Sequence, residues 1–186
     1  MICGIGIEFQ EYEKKFDMKL NPKKGKWQEV DSGNFSISYS FSLNPIYPKL
    51  YVTKVYNDTD IHQEMQYDTL GRIKSVVFTY DRVNVGTSYL FDTLGNITKT
   101  IDERQADKYP ICFREALEIV KRKIPKRHKI NVIERDSMMM EEKKVYYWSI
   151  STQNPKKSYY YHYSINAKTG KVINEGISRV VCDSPG

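Results

Sequence analysis

The stretch that decides the fold is Tyr67-Asp68-Thr69-Leu70-Gly71-Arg72-Ile73, which recurs 24 residues later as Phe91-Asp92-Thr93-Leu94-Gly95-Asn96-Ile97. A looser third copy, Ile-Asn-Ala-Lys-Thr-Gly-Lys-Val, runs from Ile165 to Val172. In each copy an Asp or Asn can accept hydrogen bonds from the backbone N–H groups that follow it. The glycine can adopt the positive φ that a type I turn with a G1 bulge requires. The pattern therefore predicts three β-hairpin turns.

Strand-forming segments surround the first two turns. Phe35, Ile37, Tyr39 and Phe41 alternate with serines, which places the four large side chains on one face of a strand. Further runs rich in β-branched and aromatic residues follow at Leu50–Tyr56, Ile61–Tyr67, Arg72–Tyr80, Thr87–Phe91 and Asn96–Ile101. Their short spacing predicts an antiparallel β-meander.

A helix is predicted after a charged linker at Asp102–Lys108. The apolar residues Phe113, Ala116, Leu117, Val120 and Ile124 recur at helical spacing, and Pro125 ends the pattern. The linker suggests two domains: an antiparallel β-rich region at residues 1–106 and a helix-and-strand unit at residues 107–186.

Three strands are predicted after the helix, at Ile130–Arg135, Val145–Ser151 and Ser158–Asn166, and Gly170 turns the last one into Lys171–Asn174. Alternation along these strands places Tyr146, Trp148 and Ile150 in the core. It leaves Tyr147, Tyr160 and His162 outside, where they are expected to form an exposed aromatic patch.

The order of one helix and three strands, ending in Tyr-Ser-Ile-Asn-Ala-Lys-Thr-Gly-Lys-Val-Ile at residues 163–173, resembles a PepSY domain. The signature of that family is a strand followed by Asp-x-x-Thr-Gly-Lys-Val, and Asn166 stands here in place of the Asp. The resemblance covers Ile111 to Glu175. It implies an α+β protein, in which the antiparallel β-meander is followed by a helix packed on an antiparallel sheet. It also implies binding or inhibition, because PepSY domains are protease-associated inhibitory or interaction modules.

The two Asp-Thr-Leu-Gly hairpins resemble the YD repeats of Rhs-type bacterial toxins, whose copies read Tyr-Asp-x-x-Gly-Arg-Ile. We interpret them as structural hairpins. Together with the Tyr-x-Trp-x-Ile strand, they make the chain similar to small proteins of Bacteroidota that are encoded beside secreted antibacterial toxins.

The sequence predicts no catalytic residue, no metal ligand and no cofactor. His62, His128 and His162 are isolated from one another, and no nucleotide-binding or hydrolase motif is present. The three cysteines, Cys3, Cys112 and Cys182, are far apart in the chain, so at most one disulfide can form. We expect Cys112 to be a buried thiol.

Positive charge is the strongest surface feature. The chain has 29 Lys and Arg against 23 Asp and Glu, a net charge of +6. Six cations lie between residues 121 and 129, among them Lys126, Arg127 and Lys129. Such a cluster is typical of a solvated helix end, and it also suits an acidic protein partner or the phosphates of a nucleic acid.

These features favour a non-enzymatic binding protein, specifically a bacterial immunity or inhibitor protein that blocks a toxin or hydrolase by surface complementarity. The expected partner-binding residues are Lys126, Arg127, Lys129, Tyr147, Tyr160 and His162. One alternative is an envelope lipoprotein acylated at Cys3, in the periplasm or outer membrane, which requires a signal peptide upstream of Met1. A second is a nucleic-acid-binding protein. As the sequence stands, no transmembrane segment is predicted and the expected location is the cytoplasm.

Overall fold

The fold is described from a computed structural model. The structure describes residues 28–31, 33–42, 49–125, 127–154, 156 and 159–179. Cys3, Lys126 and Cys182, which entered the hypotheses above, lie outside these residues. The chain divides into two compact units: Gln105 onward forms one, together with Asp81–Val83, and most of the chain before Gln105 forms the other.

The N-terminal unit is built on a seven-stranded sheet in which neighbouring strands follow chain order. The strands are β1 (Gln28–Asp31), β2 (Phe35–Ser42), β3 (Lys49–Tyr56), β4 (Ile61–Tyr67), β5 (Ile73–Tyr80), β6 (Val83–Phe91) and β7 (Ile97–Asp102). One face of the middle strands is buried, with Leu50, Val52, Met65, Tyr67 and Val76 in register across it. The predicted antiparallel arrangement of neighbouring strands is therefore present.

The hairpin turns close as the repeated sequence predicts. Gly71 and Gly95 have φ values of 72° and 82°. Their N–H groups donate to the carbonyl oxygens of Asp68 and Asp92, at 3.0 and 3.3 Å. A register shift lies beside each turn, at Gln66/Tyr67 and at Leu90/Phe91. The turns are thus set by local hydrogen bonds that the sequence itself supplies.

The C-terminal unit has one helix and a second sheet. Its elements are α1 (Phe113–Lys121), β8 (Lys129–Met140), β9 (Lys143–Gln153), β10 (Tyr159–Asn166) and β11 (Val172–Arg179), with sheet order β11-β10-β9-β8. The predicted apolar stripe of α1 is buried through Phe113, Ala116, Leu117 and Val120. The backbone N–H of Cys112 donates to Glu115 at 3.0 Å and so caps the start of the helix. The helix lies against β9.

The core of this unit is organised by Trp148. Its Nε1–H donates to the carbonyl oxygen of Ile111 at 2.8 Å, and its ring lies 5.1 Å from that of Tyr109. Trp148 and Ile150 are fully buried, as predicted, whereas the predicted core residue Tyr146 is only half-buried. Tyr146 lies nearer the β8–β9 turn, where it contacts Tyr109 at the margin of the core.

Three predicted strands were too short. The strand expected at Thr87–Phe91 begins four residues earlier, at Val83. The strand expected at Ile130–Arg135 continues to Met140, and the strand expected at Lys171–Asn174 continues to Arg179. In these last two strands most of the added residues are polar or exposed, so no apolar alternation marks them, and pairing with the neighbouring strand holds them extended.

We expect Gly170→Ala to destabilise the protein by about 2 kcal/mol, because a left-handed φ costs an alanine roughly 1–2 kcal/mol and crowding adds to it. Gly170 has φ 69°, and an added Cβ would lie 3.1 Å from Ile111 Cδ1 and 3.2 Å from Ile119 Cδ1. The matched control is Gly176→Ala in β11, where a Cβ meets no atom within 4 Å. Urea denaturation should show a loss for the first variant and no loss for the second. Equal urea midpoints for the two variants would show that Gly170 is not required by its backbone conformation and its close neighbours.

Candidate functional site

The sheet of the C-terminal unit has a face turned away from α1, which we call the outer face. Trp148, Ile150 and Thr152 are buried on the helix side of β9, so Tyr147, Ser149, Ser151 and Gln153 lie on the outer face. The neighbouring strand β10 contributes Tyr160, His162 and Ser164 to the outer face, according to the strand register. Three of these seven residues are serines.

One end of the outer face brings several functional groups together. Lys129, Gln153, Tyr160 and Ser178 form one row across the four strands, since each is paired in register with the next. His162 lies in the following row, and its Nε2 is 2.6 Å from the Oγ of Ser178. The rings of Tyr160 and His162 lie 6.4 Å apart. We call Lys129, Gln153, Tyr160, His162 and Ser178 the outer-face cluster.

The cluster includes three of the six residues expected at the partner interface: Lys129, Tyr160 and His162. Arg127 is exposed and lies two residues before β8, with a positive φ of 76°. Lys126 lies outside the described residues.

Tyr147 is on the outer face but not near the cluster. It pairs with Asn166, whereas Gln153 pairs with Tyr160, so six residues of β9 separate the two tyrosines. At about 3.3 Å a residue, this is roughly 20 Å. The single aromatic patch expected from Tyr147, Tyr160 and His162 is therefore wrong, because residues that share a face can still lie at opposite ends of a strand.

Tyr147 has a specific partner of its own. Its hydroxyl donates to Oδ2 of Asp136 at 2.6 Å. This hydrogen bond, together with burial, raises the pKa of Tyr147 to about 12, because ionisation would place a phenolate beside a carboxylate. The same bond and a second one from the backbone N–H of Ser137 lower the pKa of Asp136.

The shifted pKa values predict how stability depends on pH. The Tyr147–Asp136 bond stabilises the fold at neutral pH, and its contribution disappears as pH falls through the lowered pKa of Asp136 or rises from 10 to about 12. Tyr147→Phe should therefore be less stable than wild type at neutral pH, with the difference vanishing in acid. NMR titration should also show a higher pKa for Asp136 in this variant. Tyr160→Phe serves as the control, and an unchanged Asp136 pKa in Tyr147→Phe would contradict the assignment.

The basic segment remains solvent-exposed around the helix end. Lys121, Arg122, Lys123, Arg127 and Lys129 are exposed. Lys121 Nζ lies 2.7 Å from Glu118 Oε1, a pair with both side chains more than half exposed. Such a pair contributes little to stability. Of these cations, Lys129 belongs to the outer-face cluster, whereas Lys121 to Lys123 lie at the end of α1, which packs on the opposite face of the sheet.

Gln153 and Ser178 of the cluster were missed by sequence reasoning. Ser178 lies beyond the predicted end of β11, and Gln153 was assigned to the connection between two strands. The alternation of Tyr160, His162 and Ser164 along β10 was the sequence signal nearest to the cluster. Alternation along one strand does not identify which residue of the next strand lies opposite.

Cys112 is disulfide-bonded, so the expectation of a buried thiol was wrong. The chain has three cysteines, and the partner is therefore Cys3 or Cys182. Within the described ranges, no three His, Cys, Asp or Glu side chains are grouped to hold a metal ion. The same part of the chain contains no helix that is long and apolar enough to cross a bilayer.

Comparison with known proteins places part of the chain in a family. Residues 113–175, from the start of α1 into β11, match the family model PepSY, described as "Peptidase propeptide and YPEB domain". No curated protein sequence matches the chain. A solved structure, the Bacillus megaterium YpeB C-terminal domain, aligns over 80% of this chain and 91% of its own at 13% identity and a TM-score of 0.30. That score is too low to support an argument about the fold. Residues 113–175 of this chain therefore form a PepSY domain.

Proposed function

We propose that the protein is a non-catalytic binding protein whose C-terminal unit holds a protein partner against the outer-face cluster. The observation that carries the proposal is the PepSY match at residues 113–175, because the family description refers to peptidase propeptides. Such domains often have regulatory or inhibitor-like binding roles. The favoured partner is a peptidase, or another secreted hydrolase or toxin, in which case the protein acts as an inhibitor or immunity protein.

The geometry of the cluster supports protein binding. Tyr160 presents a half-buried ring, held by an antiparallel sheet and flanked by His162. The neighbours Ser151 and Ser164 of His162 have short side chains. Tyrosine on a rigid scaffold loses little conformational entropy on binding and is enriched at the energetic centres of interfaces.

The charge around the cluster indicates an acidic partner surface. Lys129 is exposed in the same row as Tyr160, and the exposed Arg127 lies two residues before it. Positive charge at the rim of an interface accelerates association more than it slows dissociation. We therefore expect the association rate to fall as the salt concentration rises.

The disulfide at Cys112 bears on where such binding takes place. Disulfides persist in oxidising compartments and are rare in the cytosol. We accordingly favour action outside the cytoplasm. An envelope lipoprotein acylated at Cys3 is compatible with this location only if Cys112 pairs with Cys182.

Affinity capture with two matched variants tests the proposal. Tagged wild type, Lys129→Glu/Tyr160→Ala and the charge-matched control Lys168→Glu are incubated with envelope and secreted fractions of the native host. Lys168 is exposed in the β10–β11 turn, at the far end of β10 from Tyr160. Wild type and the control should retain one stoichiometric hydrolase or toxin, and should inhibit it once it is purified.

The Lys129→Glu/Tyr160→Ala variant should bind this partner at least tenfold more weakly. Equal binding by all three proteins would remove the outer-face cluster from the proposal. Absence of any stoichiometric partner for wild type, or capture of a partner whose activity is unaffected, would contradict the inhibitory function itself.

A further inference from the structure

The tips of the two repeated hairpins in the N-terminal unit carry exposed leucines. Leu70 is 61% exposed and Leu94 is 82% exposed, which makes Leu94 the most exposed of the large apolar residues in the described ranges. Both follow Asp-Thr and precede the glycine with positive φ, so they occupy the same position of the same turn. Two apolar side chains are thus presented to solvent by the same local structure.

The two tips lie at one end of one sheet. The β4–β5 and β6–β7 turns are separated by two strands of a sheet whose strands follow chain order, so they emerge on the same side. Two strand spacings place the tips roughly 10 Å apart. Tyr51, 38% exposed, lies near this end, because the adjacent Leu50 pairs with Tyr67 immediately before the first turn.

Four backbone N–H groups of each tip have hydrogen-bond partners within the turn. Asp68 Oδ1 accepts the N–H groups of Leu70 and Arg72 at 2.9 and 3.0 Å. Asp92 Oδ1 accepts those of Leu94 and Asn96 at 2.8 and 2.9 Å. Internal satisfaction of backbone donors is what the apolar region of a membrane demands of any segment that enters it.

Cations surround the tips. Lys49 is the residue before Leu50, Arg72 and Lys74 follow the first turn, and Lys99 pairs with Leu90 close to the second turn. Arg72 and Lys74 lie 2.8 and 3.8 Å from Asp68. The negative charge of the Asp68 carboxylate is therefore balanced by its neighbours. Among the described residues, four cations thus accompany two turn aspartates at this end of the sheet, and their summed charge is positive.

We propose that this end of the N-terminal sheet is a membrane-docking edge that inserts Leu70 and Leu94 into an anionic phospholipid surface. A fluid lipid surface can close around two side chains that lie about 10 Å apart, because lipid chains adapt to each leucine separately. Lys49, Lys74 and Lys99 lie behind the tips, at the depth of anionic headgroups. Apolar insertion combined with cationic attraction is the usual basis of reversible binding at an interface.

Vesicle co-sedimentation tests the membrane-docking edge. The full chain is mixed with vesicles of phosphatidylcholine alone, or of phosphatidylcholine with phosphatidylglycerol. We expect binding to the anionic vesicles that weakens with added salt. The double variant Leu70→Ser/Leu94→Ser should bind at least tenfold more weakly. Ile177→Ser is the control, because Ile177 is 64% exposed but lies in the C-terminal unit.

Several outcomes would overturn the proposal. Wild type would fail to bind anionic vesicles at low salt, or the double variant would bind them equally well. Alternatively, wild type would form a concentration-dependent dimer that the double variant does not form.

A gain of signal provides a second test that does not depend on the serine variants folding. In Leu94→Trp, vesicles should shift tryptophan emission to the blue, and in Ile177→Trp they should not. Neither measurement depends on the hydrolase partner proposed for the outer-face cluster, so a negative result for membrane binding would leave that proposal unaffected.

Discussion

Trp148→Ala should lower the free energy of unfolding by about 3–5 kcal/mol, the usual cost of truncating a buried aromatic side chain. Trp148 is 1% exposed, and its ring packs beside Tyr109. The substitution leaves a cavity under α1 and deprives the carbonyl oxygen of Ile111 of its 2.8 Å hydrogen bond. Because small domains are stabilised by only about 5–15 kcal/mol in total, the substitution removes a large fraction of the stability of the C-terminal unit. Urea denaturation, monitored by circular dichroism, measures the loss of unfolding free energy.

Two further variants separate the contribution of the cavity from that of the lost hydrogen bond. Trp148→Phe keeps most of the apolar volume but removes the Nε1–H donor, so it should lose about 1–3 kcal/mol, the cost of an unsatisfied buried acceptor. Met139→Ala should have little effect, because Met139 is 66% exposed. A Trp148→Ala variant as stable as Met139→Ala would show that this ring is not part of the core.

Reduction of the Cys112 disulfide should destabilise the protein by about 2–4 kcal/mol, because the cross-link restricts the unfolded chain. Cys112→Ser should reproduce the loss under oxidising conditions and should remove the sensitivity to reductant. Thermal unfolding with and without reductant measures both. Identical unfolding of wild type in the two conditions would contradict a structural role for the bond.

Thiol labelling identifies the partner. One of the three cysteines should react in the oxidised, denatured protein, and all three should react after reduction. A labelled Cys3 leaves acylation at that position open, whereas a labelled Cys182 removes the lipoprotein alternative, since Cys3 would then be bonded to Cys112. Labelling of Cys112 in the oxidised protein would show that the bond does not form.

The helix and the hairpins were predictable because their determinants are local. The stripe from Phe113 to Val120 lies within nine residues, and each turn is closed by an Asp or Asn that bonds backbone groups two to four residues away. The PepSY resemblance was predictable for the same reason, since its signature is one strand and one turn. The comparison with known families confirms it at residues 113–175.

The candidate site was only partly predictable. Tyr160 and His162 are two residues apart on one strand, so alternation alone places them together. Ser178 reaches His162 only through pairing of β10 with β11, and Tyr147 is removed from both by the register of β9 against β10. Register is decided by the packing of whole strands, and a short sequence pattern carries no information about it.

The sequence by itself determined the hairpin turns, the amphipathic helix and the faces of the main strands, because hydrogen bonds and periodicity within a few residues specify them. The tertiary structure decided which side chains meet. It placed Lys129 in one row with Tyr160, paired Tyr147 with Asp136, bonded Cys112 and aligned Leu70 with Leu94 at one end of a sheet. Each of these arrangements joins residues at least 11 positions apart in the chain, and only strand pairing and burial within each unit bring such residues together.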